Sequence, residues 1–199
     1  MASTTASPES TPWHALSDED LLGRYCRAND QLAFQTLYLR YRPRLYRFVL
    51  RLSRDRHEAE EVFQETWMAV VKAKEHDTVR FAAYLFSIAH RRLIDHWRRR
   101  KRLSLLEMEG STPPCDPDEI ADDLAMPPEV WAHLEQLQGA LMRELAKLPV
   151  IQREVFLMKA EANLSLEEIA AIMGATHEAT KSRLRYALGR LRAALGNWK

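Results

Sequence analysis

Several things are scarce in this chain of 199 residues, and each scarcity excludes a class of protein. It has only two cysteines, Cys26 and Cys115, far apart and in no ligand or redox spacing. That excludes a disulfide scaffold and a thiolate metal centre, and both are read as reduced thiols of a cytoplasmic protein. With only six glycines there is no phosphate-cradling glycine loop, and no nucleophile elbow either. His90 and His96 stand six apart and share a helical face poorly, and the sequence offers no Cys or carboxylate at a spacing that completes a metal set. No catalytic residue, metal ligand or cofactor is assigned, and the chain is not expected to be an enzyme. No apolar run approaches the ~20 residues a membrane-spanning helix needs, so no membrane insertion is expected. The opening "MASTTASPESTPW" has neither a basic segment nor an apolar one, so residues 1–16 are read as a frayed tail rather than a secretory signal.

Charge of one sign is also nearly absent overall, at +1, but its distribution is uneven. Residues 17–103 hold 19 Lys/Arg against 12 Asp/Glu, and residues 140–199 hold 10 against 6. Between them, residues 104–139 hold no Lys/Arg and 9 Asp/Glu. Two basic blocks thus flank an acidic stretch. The densest run, Arg98, Arg99, Arg100, Lys101 and Arg102, closes "LIDHWRRRKR". A helix dipole accounts for one or two cations near a C-terminus, at roughly 0.3–1 kcal/mol each. Five adjacent like charges repel one another and point to a polyanionic partner.

Few glycines and 46% hydrophobic residues predict an all-α fold. Ser17 followed by Asp18, Glu19 and Asp20 reads as an N-cap with an acidic first turn. Phe34, Leu37, Tyr38, Tyr41, Leu45, Phe48 and Leu52 recur at helical steps, with Pro43 expected to kink or split that helix. Further helices are expected from about His57 to Lys74 and from Phe81 to Arg102, the latter burying Leu85, Ile88, Ala89 and Leu93. The proline-rich acidic segment 104–128 cannot bury a core and is read as a flexible linker. Two small helical domains are therefore expected, at 17–103 and 129–199.

In the second domain an amphipathic helix near 129–147 is broken at Leu148–Pro149. Ser165 with Glu168 forms a capping box, and Gly174 ends a short helix that a longer basic helix follows. There Thr180, Leu184, Leu188, Leu191 and Leu195 make one buried face, while Lys181, Arg183, Arg185 and Arg190 lie opposite. Short helix, glycine turn, basic helix is the pattern of a helix-turn-helix, whose second helix enters a major groove. A plain helical hairpin would share the periodicity but needs no basic face.

"HEAEEVFQETWMAVVK" carries a different surface: Glu58, Glu61 and Glu65 form an acidic stripe, with Gln64 beside it. Solvation alone would explain such a face. On a DNA-binding chain it would repel phosphates, so a basic protein partner fits better. Trp97, Tyr84, Phe86, Trp67 and Phe81 are each either core or platforms for unstacked bases.

The order "AEEVFQETW … FAAYLFSIAHRRLIDHWRRRKR", an acidic linker, then "LPVIQREVFLMKAEANLSLEEIAAIMGATHEATKSRLRYALGRLR" resembles the extracytoplasmic-function sigma factors of bacterial RNA polymerase. The likeness spans nearly all of residues 17–195. It implies a region 2 helical bundle and a region 4 helix-turn-helix domain joined by the linker. It also implies core RNA polymerase as partner, through the β′ clamp coiled coil and the β flap, with promoter DNA and an anti-sigma factor beside it. Glu58, Glu60, Glu61, Gln64 and Glu65 would dock on the clamp. Arg91, Arg92, Trp97, Arg98, Arg99, Arg100 and Lys101 would melt and hold the −10 element. His177, Lys181, Ser182, Arg183, Arg185 and Tyr186 would read the −35 element. Three places depart from the common pattern: His90-Arg91 for Arg-Asn, Ala179-Thr180 for Thr-Val, and Tyr186 for arginine. An operator-binding dimeric regulator and a protein-only adaptor are the alternative readings.

Overall fold

A computed structural model describes residues 13–53, 55–73, 80–104 and 128–196. Every regular element among them is helical. After a short 3-10 helix at Trp13–Ala15 come α1 (Asp18–Ala28), α2 (Gln31–Leu50), α3 (Arg56–Lys72) and α4 (Phe81–Ser104). The second block holds α5 (Pro128–Ala146), α6 (Val150–Ala162), α7 (Leu166–Met173) and α8 (His177–Leu195). Residues 1–12 of the expected tail, 105–127 of the expected linker 104–128, and Cys115 lie outside the described residues, while the end of that tail is ordered, with Trp13 and Leu16 packed on the core.

Side-chain caps set most of the helix starts. Ser17 accepts from the Asp20 backbone N–H, Asp30 from those of Leu32 and Ala33, and Asp55 from that of Glu58. Each such cap is worth about 0.5–2 kcal/mol because it satisfies a donor the helix leaves open. Asn29 and Asn163 close α1 and α6 in the left-handed region, at φ 52° and 51°. One expectation is corrected: α2 is not split at Pro43 but runs through it as a single helix. The proline lies on the exposed face, while Leu37, Tyr41, Leu45 and Phe48 on the other face are buried. That burial outweighs the lost hydrogen bond.

The core of the first block is built from rings. Phe34, Tyr38, Phe63 and Trp67 meet across α2 and α3, and Phe48 meets Phe86 edge-on at 5.0 Å. Phe81, Phe86 and Trp67 are buried, so these three of the five candidate stacking rings are core residues. Trp97 and Tyr84 are half-buried against the same cluster.

The two blocks also touch. Val155, Leu157, Met158, Ala162, Leu164 and Ile169 of the second block share one apolar cluster with the first. Around it run polar links between the blocks. Glu161 of α6 bonds Arg47 at 2.9 Å and also Arg51, both on the α2 side. His90 of α4 bonds Glu154 of α6, the latter 3% exposed. Arg80 reaches Glu168 at 3.1 Å and the Asn163 carbonyl at 3.2 Å, and Arg153 donates to the Arg51 carbonyl at 3.2 Å. A smaller cluster of Met142, Leu145, Leu148, Ala187 and Leu191 ties α5 to α8.

Candidate nucleic-acid interface

The second block contains the helix-turn-helix that its sequence pattern predicts. The Ser165 hydroxyl accepts from the Glu168 N–H at 3.1 Å, while the Glu168 carboxylate accepts from the Ser165 N–H at 2.7 Å. Gly174 sits at φ +60°, where a side chain would be strained, and turns the chain toward Thr176. Thr176 caps α8 by accepting from the Ala179 N–H at 3.2 Å. Thr180 is buried at the junction and its hydroxyl donates to the Thr176 carbonyl at 3.0 Å, so a polar residue here is satisfied rather than orphaned.

This packing turns one face of α8 outward. Lys181, Arg185 and Tyr186 are exposed, and Ser182 and Arg183 are half-buried beside them. The Arg185 guanidinium lies over the Tyr186 ring at 5.5 Å, which holds both side chains on the surface. His177, at the start of α8, lies 3.2 Å from Glu167 and 3.6 Å from Glu178. Hydrogen bonds from the Glu167 backbone N–H and the Ser165 side chain, with His177 nearby, hold the Glu167 carboxyl below the usual carboxylate range.

In the first block α3 and α4 pack side by side, which brings the acidic stripe and the basic run next to one another. Glu60, Glu61 and Gln64 face solvent. Glu58 and Glu65 lean toward α4: Glu58 lies 3.5 Å from Arg100, and Glu65 lies 3.7 Å from Arg92. Arg98, Arg99, Arg100, Lys101 and Arg102 are exposed along the last turns of α4. Asp95 with Arg98, Arg99, Lys101 and Arg102 lines an open, cationic cleft. Arg91 is exposed, while Trp97 is half-buried against the core.

His90, adjacent to the basic face in sequence, points away from it and into the contact with α6. Sequence reasoning also missed His96, whose ring lies between Glu61 and Glu65. The i, i+4 spacing of the two glutamates was visible, but a partner over 30 residues away becomes apparent only once α3 and α4 are packed.

Comparison with known proteins agrees with this architecture. Residues 37–103 match the family described as Sigma-70 region 2, and residues 138–191 match Sigma-70, region 4. The chain is 30% identical over 183 residues to the ECF RNA polymerase sigma factor SigK of Mycobacterium tuberculosis, covering 90% of this chain and 94% of that protein. It is 36% identical over 143 residues to the ECF RNA polymerase sigma factor SigF of Caulobacter vibrioides, covering 71% and 73% of the two chains. In fold it is similar to the sigma factor RpoE solved in complex with the anti-sigma factor NepR from Bartonella quintana. That match has a TM-score of 0.63 at 23% identity and covers 83% of this chain and 98% of that one. The solved structure of CnrH in complex with the cytosolic domain of CnrY gives a TM-score of 0.58 at 24% identity, over 90% and 97%. The chain belongs to the extracytoplasmic-function sigma factors, transcription initiation factors that direct RNA polymerase to promoters.

Proposed function

We propose that the two basic surfaces divide the promoter between them while the acidic surface holds the polymerase. Glu58, Glu60, Glu61, Gln64 and Glu65 dock on the β′ clamp coiled coil, where charge complementarity sets orientation and association rate. Arg91, Arg92, Arg98, Arg99, Arg100 and Lys101 grip the −10 backbone, and Trp97 offers a ring to an extruded base. His177, Lys181, Ser182, Arg183, Arg185 and Tyr186 read the −35 duplex, with the second block docked on the β flap. The observation that carries this reading is the acidic stripe of α3 lying against the basic end of α4. Glu58 and Glu65 pair with arginines of α4, but the solvent-facing Glu60 and Glu61 would only repel phosphate in a regulator that met DNA alone.

Strand opening then draws on binding energy, with no bond made or broken by this chain, which acts in the cytoplasm as a polymerase subunit rather than an enzyme. The −10 and −35 elements are centred some 25 base pairs apart, roughly 85 Å of duplex at ~3.4 Å per pair. Docking on polymerase then draws apart two blocks that are joined here through Glu161 and His90, so that each reaches its own element. The relatives solved with anti-sigma factors suggest a further partner of that kind for this chain. Pull-down with core polymerase tests the docking surface: the folded Glu61→Lys, Glu65→Lys double variant should lose core binding. Retention of full binding would remove α3 from the interface.

A further inference from the structure

We infer that Glu61, Glu65 and His96 form a binding site for one first-row divalent cation of the Zn2+ or Co2+ class. Glu61 and Glu65 stand one helical turn apart on α3, and His96 projects between them from α4. One ligand atom from each lies within 4.8 Å of the other two. The His96 side chain is only 10% exposed, yet its Nε2 has no hydrogen-bond partner, and neither does the facing Glu65 Oε2. These two atoms are 3.7 Å apart, and His96 Nδ1 is 3.9 Å from Glu61 Oε2. Both separations are too long for hydrogen bonds, which close at about 2.7–3.2 Å. The Nε2–Oε2 separation is near what a shared ion imposes, because ligands at about 2.0–2.2 Å in a tetrahedron stand about 3.3–3.6 Å apart, whereas Glu61 faces the other ring nitrogen and must rotate to join the same ion.

The donor set defines the ion. One imidazole nitrogen with two carboxylate oxygens suits Zn2+ or Co2+, whereas Mg2+ and Ca2+ take shells of oxygen. Glu65 and one ring nitrogen supply the first two ligands. Glu61, half exposed, swings in as the third and leaves a fourth position for water. Arg92 lies beside the cluster, its Nε 3.7 Å from Glu65 Oε2 and its side chain 37% exposed. The bound ion would clip α3 to α4 and neutralise two carboxylates of the acidic stripe. Metal and polymerase would therefore compete for this face, a consequence that rests on the docking role proposed above.

Titration of the full-length protein with Co2+, followed by visible absorption, tests the site directly. We expect one saturable ion per chain, with the ligand-field bands of a low-coordinate nitrogen–oxygen site. Losing a ligand should cost at least the roughly 10–100-fold in affinity that losing a supporting residue does. His96→Gln and Glu65→Gln should each show that loss, while Glu144→Gln, in the other block and paired with Lys147, leaves the titration unchanged. Absence of saturable binding, or equal binding by His96→Gln, would overturn the site, and comparing two variants guards against one that misfolds. Core-polymerase affinity is then measured with and without Zn2+. Weakening in the parent but not in His96→Gln supports competition; equal affinity at saturating Zn2+ overturns it. Failure of the docking reading would appear separately, as full polymerase binding by Glu61→Lys, Glu65→Lys, with the Co2+ titration still interpretable.

Discussion

The two blocks of this molecule are stabilised in different ways. The first packs rings together in three groups: Phe34, Tyr38, Phe63 and Trp67 across α2 and α3, and the pairs Tyr41–Phe81 and Phe48–Phe86 across α2 and α4. Among the described residues of the second no ring pair occurs, and its apolar residues fall into two groups. One is the small set joining α5 to α8; the other faces the first block. Polar groups at that contact range from buried Glu154, His90 and Glu161 to the partly exposed Arg47 and Arg80. The helices of the first block supply most of the cluster that the two blocks share, whereas the second block draws part of its burial from its contact with the first.

The sharpest way to break this comparison is to damage one core and watch the other. Phe86→Ala removes a fully buried ring and should cost about 3–5 kcal/mol. Leu145→Ala, in the small α5–α8 cluster, should cost about 2–5 kcal/mol. Hydrogen exchange should show Phe86→Ala lowering protection in both blocks and Leu145→Ala lowering it only in α5–α8. Symmetric loss from both variants would mean that the blocks form one cooperative unit.

A smaller effect is expected at the contact itself. Glu161→Gln leaves Arg47 and Arg51 without their carboxylate. Because both arginines reach solvent in part, the cost should be about 1–3 kcal/mol rather than that of a fully buried pair. The free parent should bind promoter duplex weakly and with strong salt dependence, and Glu161→Gln should bind it more tightly because its second block is released. Fluorescence anisotropy at two salt concentrations reads both; unchanged binding would argue that the contact does not mask α8.

Smaller again are changes confined to one helix end. Thr176→Ala removes the cap of α8 and should cost about 1 kcal/mol, fraying the turn that presents His177 and Lys181. Thermal unfolding should register it modestly, and −35 affinity should fall more than stability does. Smallest at neutral pH is Tyr41. Burial, together with its hydrogen bond to Asp18, raises its phenol well above the ordinary value of 10.0. Below pH 10 the phenol is neutral in both the folded and unfolded chain, so its contribution is fully present. As pH climbs past 10 only the unfolded chain ionises, and stability falls. Urea melts between pH 9 and 11 should show a steeper fall for the parent than for Tyr41→Phe.

Local signals in the sequence were sufficient wherever the cause was local. Ser17, the Ser165–Glu168 box and Gly174 act within one turn, and their roles match the structure. The split expected at Pro43 does not occur, because its penalty is local while the burial that overrides it comes from α1, α3, α4 and α6 packed on α2. The ring residues divided for a similar reason: helical spacing places Phe81, Phe86 and Trp67 on faces but does not tell a core ring from a stacking platform. The contact between the blocks was not legible at all. Glu161 and Arg47 are 114 residues apart, and neither periodicity nor charge pattern pairs them. The same holds for His96, which joins the two glutamates only through the packing of α3 on α4.

The central claim is that one chain carries a polymerase-docking face and two separate promoter-reading faces. Permanganate footprinting of the melted strand, with core polymerase and two promoters of unrelated −35 sequence, tests it most directly. Arg183→Ala should reduce opening only at the cognate −35 sequence, since a bidentate base contact is worth about 1–3 kcal/mol of discrimination. Arg99→Ala with Arg100→Ala should reduce opening on both promoters, increasingly so as salt rises, because phosphate contacts carry no sequence information. Equal loss on both promoters from Arg183→Ala, or a promoter-selective loss from the α4 double variant, would contradict the division of labour.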